Sequence, residues 1–170
     1  ELVVPLGAMT MDEATAAFAE QAQALAAGGA DLLWIETMSS AEEVEAAVAG
    51  AAATDLPVVT TLSFDTNGRT MMGITPEAAV ALFHRLPRRP RAFGANCGTG
   101  PGQLLATVLG LKAAADPGDV IVAKGNCGIP EYRHGQIHYS GTPEIMADYA
   151  RLARDGGARI VGGCCGTTAV

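Results

Sequence analysis

No apolar run in the chain reaches the roughly 18 residues that a membrane-spanning helix needs, and no basic-then-apolar leader opens it. No cluster of basic residues has the density of a nucleic-acid patch. The densest group of arginines, at residues 85–91, is interrupted by Pro87 and Pro90. A formal net charge of -7 and a pI of about 4.8 argue against a phosphate backbone as partner. Cysteines number only 4. In a helix-favouring chain of this size, that is not the cysteine framework of a small secreted protein. It points to metal binding or catalysis in a reducing compartment, hence to a cytoplasmic protein without nucleic-acid or membrane partners. The first residue is Glu1 rather than methionine, and the chain enters at once what reads as a strand end. A piece of a longer product is expected.

What is present is one domain's worth of chain: 170 residues, 49% of them hydrophobic and many of those alanine. Strand and helix alternate. After a short apolar stretch at residues 2–4, Thr10 and Glu13 form a capping box that opens a helix over 11–27, stopped by Gly28 and Gly29. A strand follows at 31–36. Ser40 and Glu43 open a second helix to about residue 53, and a strand follows at 57–63. Thr75-Pro76-Glu77 and Thr142-Pro143-Glu144 announce two further helices, with threonine as N-cap and proline in the first turn. Between these two starts lie a strand at 91–96, a helix at 103–115 and a strand at 120–124, and a strand at 159–163 ends the series. The strands are continuously apolar, as parallel strands buried on both faces are. The pattern predicts an α/β fold of the (β/α)8 TIM-barrel type. Such a barrel needs eight units and about 250 residues, so the expectation is a partial barrel over 1–170, lacking the first two strands and the last helix. The loops at 65–73 and 127–141 are long for this pattern.

In a parallel barrel the residues that follow each strand line the mouth of the active site. Here they are Glu36, Asp65, Asn96, Cys97, Lys124, Asn126, Cys127, Cys164 and Cys165. The strand interiors are nearly bare of such groups. Cys97 sits in Gly94-Ala95-Asn96-Cys97-Gly98, and the adjacent pair in Gly162-Gly163-Cys164-Cys165-Gly166. If the strands lie side by side, three thiols converge, and zinc is the natural occupant, with a fourth position open. Buried free cysteine is the plainer reading of any one of them alone.

These two cysteine runs resemble the zinc-binding motifs of the homocysteine S-methyltransferase family. Trp34-Ile35-Glu36-Thr37, the 65–70 run and Gly125-Asn126-Cys127-Gly128-Ile129-Pro130 also resemble the family, in order along nearly the whole chain. The resemblance implies a zinc barrel with Cys97, Cys164 and Cys165 as ligands. It implies homocysteine as acceptor, methionine as product, and a small-molecule methyl donor. Betaine and a cobalamin- or folate-linked methyl group are the candidates. It also implies that Glu36 holds the amino group of homocysteine and that Asn96 orients the substrate or supports Cys97. The chain departs from the family at Cys127, where alanine is usual. Thr37 stands where betaine-using animal relatives carry tyrosine. The family's Gly-rich, acid-containing first-strand turn has no counterpart here.

Two other readings remain open at this stage. Lys124 at a strand end suits a Schiff-base lyase, and the chain also fits an inactive zinc-binding fragment. Asp65 and Arg69 are candidates for a substrate clamp or for ordering their own loop. His84, His134 and His138 lack metal-motif spacing, and Met71 and Met72 are expected to pack against the barrel top. Oligomeric state is left open.

Overall fold

The computed structural model describes residues 3–168. Helix α1 (Met11–Ala27) begins where the Glu13 amide donates to Thr10 Oγ1 and the Thr10 amide donates to Glu13 Oε2, at 3.2 and 2.8 Å. Two of the four orphan amides of a helix start are satisfied this way. Ser40 and Glu43 repeat the device at α2 (Ala41–Ala51). Helices α3 (Pro76–Arg85) and α5 (Pro143–Asp155) start on Thr75 and Thr142 with proline in the first turn. Helix α4 (Pro101–Ala114) follows Gly100 with no side-chain cap. Its start lies two residues before the expected one, because Pro101 suits a first helical position that needs no amide.

The strands β1 (Leu33–Met38), β2 (Val58–Leu62), β3 (Ala92–Cys97), β4 (Ile121–Gly125) and β7 (Ala158–Gly163) form one parallel sheet in the order β1-β2-β3-β4-β7. This is the alternation of a partial βα-barrel. The apolar stretch at residues 2–4 is not a sixth strand: Leu2 lies outside the described residues, and Val3 makes only an isolated bridge to Met9. The 127–141 loop holds an antiparallel hairpin, β5 (Pro130–Arg133) and β6 (Gln136–Tyr139), which the sequence pattern did not reveal. His134 and Gly135 at its tip both adopt positive φ, 51° and 82°, as a tight hairpin turn requires.

The sheet has two different faces. Val58, Leu62, Phe93, Ala95, Ile121 and Ala123 point into the main core, against Val44, Val80, Phe83, Leu104 and Leu111 of the helices. Residues of the opposite parity, Val59, Ala92 and Val122 with half-buried Trp34 and Ile160, form a second cluster on the other face. Toward the C-terminal ends of the strands this second face turns polar, with Glu36, Thr61, Asn96 and Lys124. The period-two alternation of a strand therefore separates core from site.

Arg85, Arg88 and Arg89 are held at the opposite end of the sheet. Arg88 donates to the carbonyls of Ala51, Thr54 and Leu56, closing the end of α2. Arg85 pairs with Glu45 at 2.9 Å. Arg89 lies 2.5 Å from Asp119 and 2.8 Å from His84 Nε2, and His84 in turn contacts Asp119 at 2.9 Å. Burial alone would raise the Asp119 pKa. The hydrogen bonds from His84, the Asp116 amide and Arg89 outweigh it and hold the carboxyl below its ordinary value. A depressed folded-state pKa gives stability that is complete above the unfolded value, about 3.9, and lost as pH falls through the folded value. Asp119→Asn is expected to remove that part of the acid-induced loss of stability, read as a flatter midpoint-against-pH curve in urea unfolding between about pH 2 and 5.

Candidate metal centre

Strand β3 ends on Cys97, whose φ of 58° is followed by 75° at Gly98. Two successive left-handed residues turn the chain off the sheet just where the thiol is needed. Strand β7 ends at Gly163, and Cys164 and Cys165 occupy a turn in which the Thr167 amide donates to the Cys164 carbonyl at 3.2 Å. A Cβ on Gly163 would collide with Thr167, and one on Gly166 would collide with the ring of Tyr139. The glycines around the cysteine pair are therefore close approaches as well as hinges.

Strand β4 lies between β3 and β7 and holds the two loops together. The Cys164 amide donates to the Gly125 carbonyl and the Cys127 amide to the Cys165 carbonyl, both at 2.9 Å. Asn126 bridges the loops directly: its Oδ1 accepts from the Cys165 amide at 2.9 Å and its Nδ2 donates to the Gly98 carbonyl at 2.9 Å.

The result is a sulfur cluster. Cys97 Sγ lies 3.2 Å from Cys164 Sγ and 3.9 Å from Cys165 Sγ, and the three sulfurs lie within 4.8 Å of one another. Tetrahedral zinc, with Zn–S bonds of about 2.3 Å, sets its sulfurs about 3.8 Å apart. The donor set and spacing fit such an ion. Electrostatics agrees. Burial, followed by the hydrogen bond and charge of Cys164, pushes the Cys97 thiol up to about 12. Burial also acts to raise Cys164, but its hydrogen bonds from Cys97 and Asn96 prevail and lower it. Without a cation one proton stays in the pair, since like charges this close do not both ionise. A divalent cation removes that conflict.

Asn96 is fully buried beside this cluster. Its Oδ1 accepts from the Thr37 amide at 2.9 Å and from Thr61 Oγ1 at 2.7 Å. Its Nδ2 donates to Thr37 Oγ1 at 2.7 Å and lies 3.9 Å from Cys164 Sγ. Thr37 has a φ of 65°, a conformation that costs a β-branched residue about 1–3 kcal/mol. The two bonds from Asn96 hold it there, and so fix the strand end that carries Glu36. Of the three sulfurs, Asn96 Nδ2 faces that of Cys164. Glu36 is half-exposed and paired with Lys124, Nζ to Oε2 2.6 Å, and Lys124 lies 5.0 Å above the Trp34 ring.

The remaining candidates are placed elsewhere. Asp65 and Arg69 do not meet. Asp65 accepts from Thr66, Arg69 donates to the Gly73 carbonyl, and the turn at Asn67 and Gly68 closes on itself. Thr70 ties this loop to β1 through the Ser39 carbonyl at 2.7 Å. Met71 is 70% exposed and does not pack against the strand ends as expected. Cys127 is buried against Gly141, outside the sulfur cluster. His84, Asp116 and Asp119 also come within 4.8 Å of one another, but Arg89 already lies among them. Thr37 and Asn126 stand in runs that the sequence singles out, but their bracing roles, like that of Thr61, depend on partners 28 to 59 residues away.

The family model for homocysteine S-methyltransferase matches residues 3–170. The methionine synthase of Mycobacterium leprae is 31% identical over 160 residues, which cover 89% of this chain and 13% of that protein. The apo crystal structure of the Escherichia coli homocysteine methyltransferase MmuM superposes with a TM-score of 0.75 at 23% identity, over 98% of this chain and 56% of that one. The oxidized form of MmuM gives 0.67 at 26% identity, over 91% and 49%. The chain therefore spans about half the length of MmuM and a small part of the methionine synthase.

Asn126→Ala removes the bridge between the two cysteine loops. We expect metal affinity to fall about 10- to 100-fold, the usual cost of losing a group that orients ligands. Competition against a chromophoric chelator measures it, and an unchanged affinity would show that the loops hold each other without the bridge.

Proposed function

The chain belongs to the homocysteine S-methyltransferase family, and from that membership we propose that it is the C-terminal portion of a zinc-binding (β/α)8 barrel that methylates the thiol of homocysteine to give methionine. The observation that carries this reading is the meeting of Cys97, Cys164 and Cys165 sulfurs at one end of the parallel sheet. These three residues would hold the zinc. When bound there, zinc supplies an open Lewis-acidic position that favours ionisation of an incoming thiol near neutral pH.

The chain's own residues supply the rest. The carboxylate of Glu36 faces the mouth and is the complement of the substrate ammonium, a charge-assisted pairing that fixes orientation. Asn96, buried and bonded to Thr37, Thr61 and Cys164, acts by positioning Glu36's strand end and one sulfur. Asn126 fixes the two cysteine loops. The cysteine thiolates make the centre anionic, which keeps electron density on the acceptor sulfur. In the reaction one S–C bond forms, the bond from methyl to its donor breaks, and that electron pair leaves with the donor. The thiol proton passes to solvent.

Thr37 and the 65–70 run resemble the methionine-synthase module more than the betaine-using animal relatives, and a cobalamin- or folate-linked methyl group and betaine are both donors to test. The Schiff-base reading of Lys124 has less support. Its Nζ is paired with Glu36 rather than desolvated beside another cation, as an activated lysine is. Partners on this reading are homocysteine and a small-molecule donor, in the cytoplasm. No described helix is long and apolar enough to cross a membrane.

The test is methyl transfer by the full-length protein with betaine, S-methylmethionine, methylcobalamin and methyltetrahydrofolate, alongside zinc content. Cys164→Ala should lose zinc and lower kcat/KM by more than about 100-fold, since even ligand-orienting groups cost 10- to 100-fold. Glu36→Gln should raise KM for homocysteine with a smaller change in kcat. Full activity in Cys164→Ala with an accepted donor would overturn the metal reading.

A further inference from the structure

We infer that Lys124 and Glu36 form a two-charge clamp for the amino-acid end of the acceptor thiol, Glu36 taking its ammonium and Lys124 its carboxylate. This rests on the proposed function and adds a second recognition group to it. Lys124 is the penultimate residue of β4, in register with Asn96 on β3 and Gly162 on β7. Those two positions immediately precede Cys97 and lie two residues before Cys164. A Cβ on Gly162 would stand 3.4 Å from Lys124 Cγ, an ordinary contact, so the lysine stem lies alongside the β7 end. The ammonium then reaches past the sheet centre to Glu36 Oε2, at 2.6 Å, over the Trp34 ring. Side-chain exposure is 23% for Lys124 and 43% for Glu36, so the pair is sheltered yet open to the mouth.

Charge decides what the pair can do. Among the described residues Lys124 is the one basic side chain at the C-terminal ends of the five parallel strands. Arg69 and Arg133 belong to the adjoining loops, where they bond to the Gly73 carbonyl and to Glu131. Three cysteines and Glu36 make the mouth acidic, and an amino-acid thiol brings a carboxylate into it. Without Lys124 that carboxylate meets no basic side chain at the strand ends. Insertion of the zwitterion between Nζ and Oε2 replaces one ion pair by two and leaves no charge unpaired, which is what a partly buried site requires. The flexible four-carbon stem permits the movement, and the Trp34 face receives the ammonium when it parts from Glu36. A lysine that only neutralised Glu36 would act oppositely: the substrate ammonium would have to displace it, and its removal would tighten binding of any aminothiol.

The experiment is calorimetric binding to the zinc-loaded full-length protein of two probes, homocysteine and 3-mercaptopropylamine, which keeps the thiol and amine and lacks the carboxylate. Wild type should prefer homocysteine. Lys124→Met should weaken homocysteine about 10- to 100-fold, the usual cost of losing a hydrogen bond to a charged group, and leave binding of the amine unweakened. Lys124→Arg should recover most of the loss. Equal weakening of both probes, tighter homocysteine binding in Lys124→Met, or no preference in wild type would each overturn the clamp. The wild-type preference stands as a test even if Lys124→Met fails to fold, and Lys124→Gln then replaces that variant. Wild type that binds neither thiol overturns the proposed function together with the clamp. Homocysteine binding with an unchanged probe ratio in the variant overturns the clamp alone.

Discussion

The register of β4 between β3 and β7 is the constraint on which the site depends. Cys97 ends β3 and the Cys164–Cys165 pair follows β7; these two strands do not pair with each other, and β4 between them sets their separation. Pairing of Cys97 with Gly125, and of Gly125 with Gly163, brings both strand ends level. A slip of one residue would move every side chain of a strand to the other face and scatter the thiols into the helical layer. The buried core between sheet and helices, with Phe93, Ile121 and Ala123 fixed on the helix side, forbids such a slip. Hydrophobic burial on one face therefore fixes chemical geometry on the other.

The strand ends are then refined by polar contacts that would be costly to leave unmade. Asn96 has no exposure, and its amide is satisfied by Thr37 and Thr61 rather than by water. Its low-dielectric setting makes those bonds strong enough to hold Thr37 in a left-handed turn. Asn126 does the corresponding work for the cysteine loops through main-chain groups. Glu36, Lys124 and Trp34 form the remaining wall. The site thus places three sulfurs at the same end of the sheet as one carboxylate and one ammonium. The other end of the sheet, with Arg88, Arg89, His84 and Asp119, is occupied with closing helix ends and pairing charges, as the stability face of a barrel is expected to be.

Much of this was legible residue by residue. The capping boxes at Thr10 and Ser40 and the Thr-Pro starts at 75 and 142 are local chemistry, and each begins a helix where it was expected. The parallel strands followed from unbroken apolar runs. The hairpin at 130–139 was not legible. Its strands are exposed, so no burial pattern marks them. Met71 is exposed against expectation, because apolar character does not say whether a partner surface lies within reach. Asn96 stands next to Cys97 in the chain, and its side-chain contacts run to Thr37, Thr61 and Cys164, 35 to 68 residues away.

The sequence by itself determined the alternation of elements, the family, and which three thiols were candidates, because caps, apolar runs and glycine-wrapped cysteines are encoded within a few residues of one another. Only the tertiary structure decided how far apart the sulfurs lie, that Cys127 stands outside their cluster, and that Lys124 pairs with Glu36. Those facts depend on strand register and on contacts as much as 88 residues apart, and local chemistry carries no record of either.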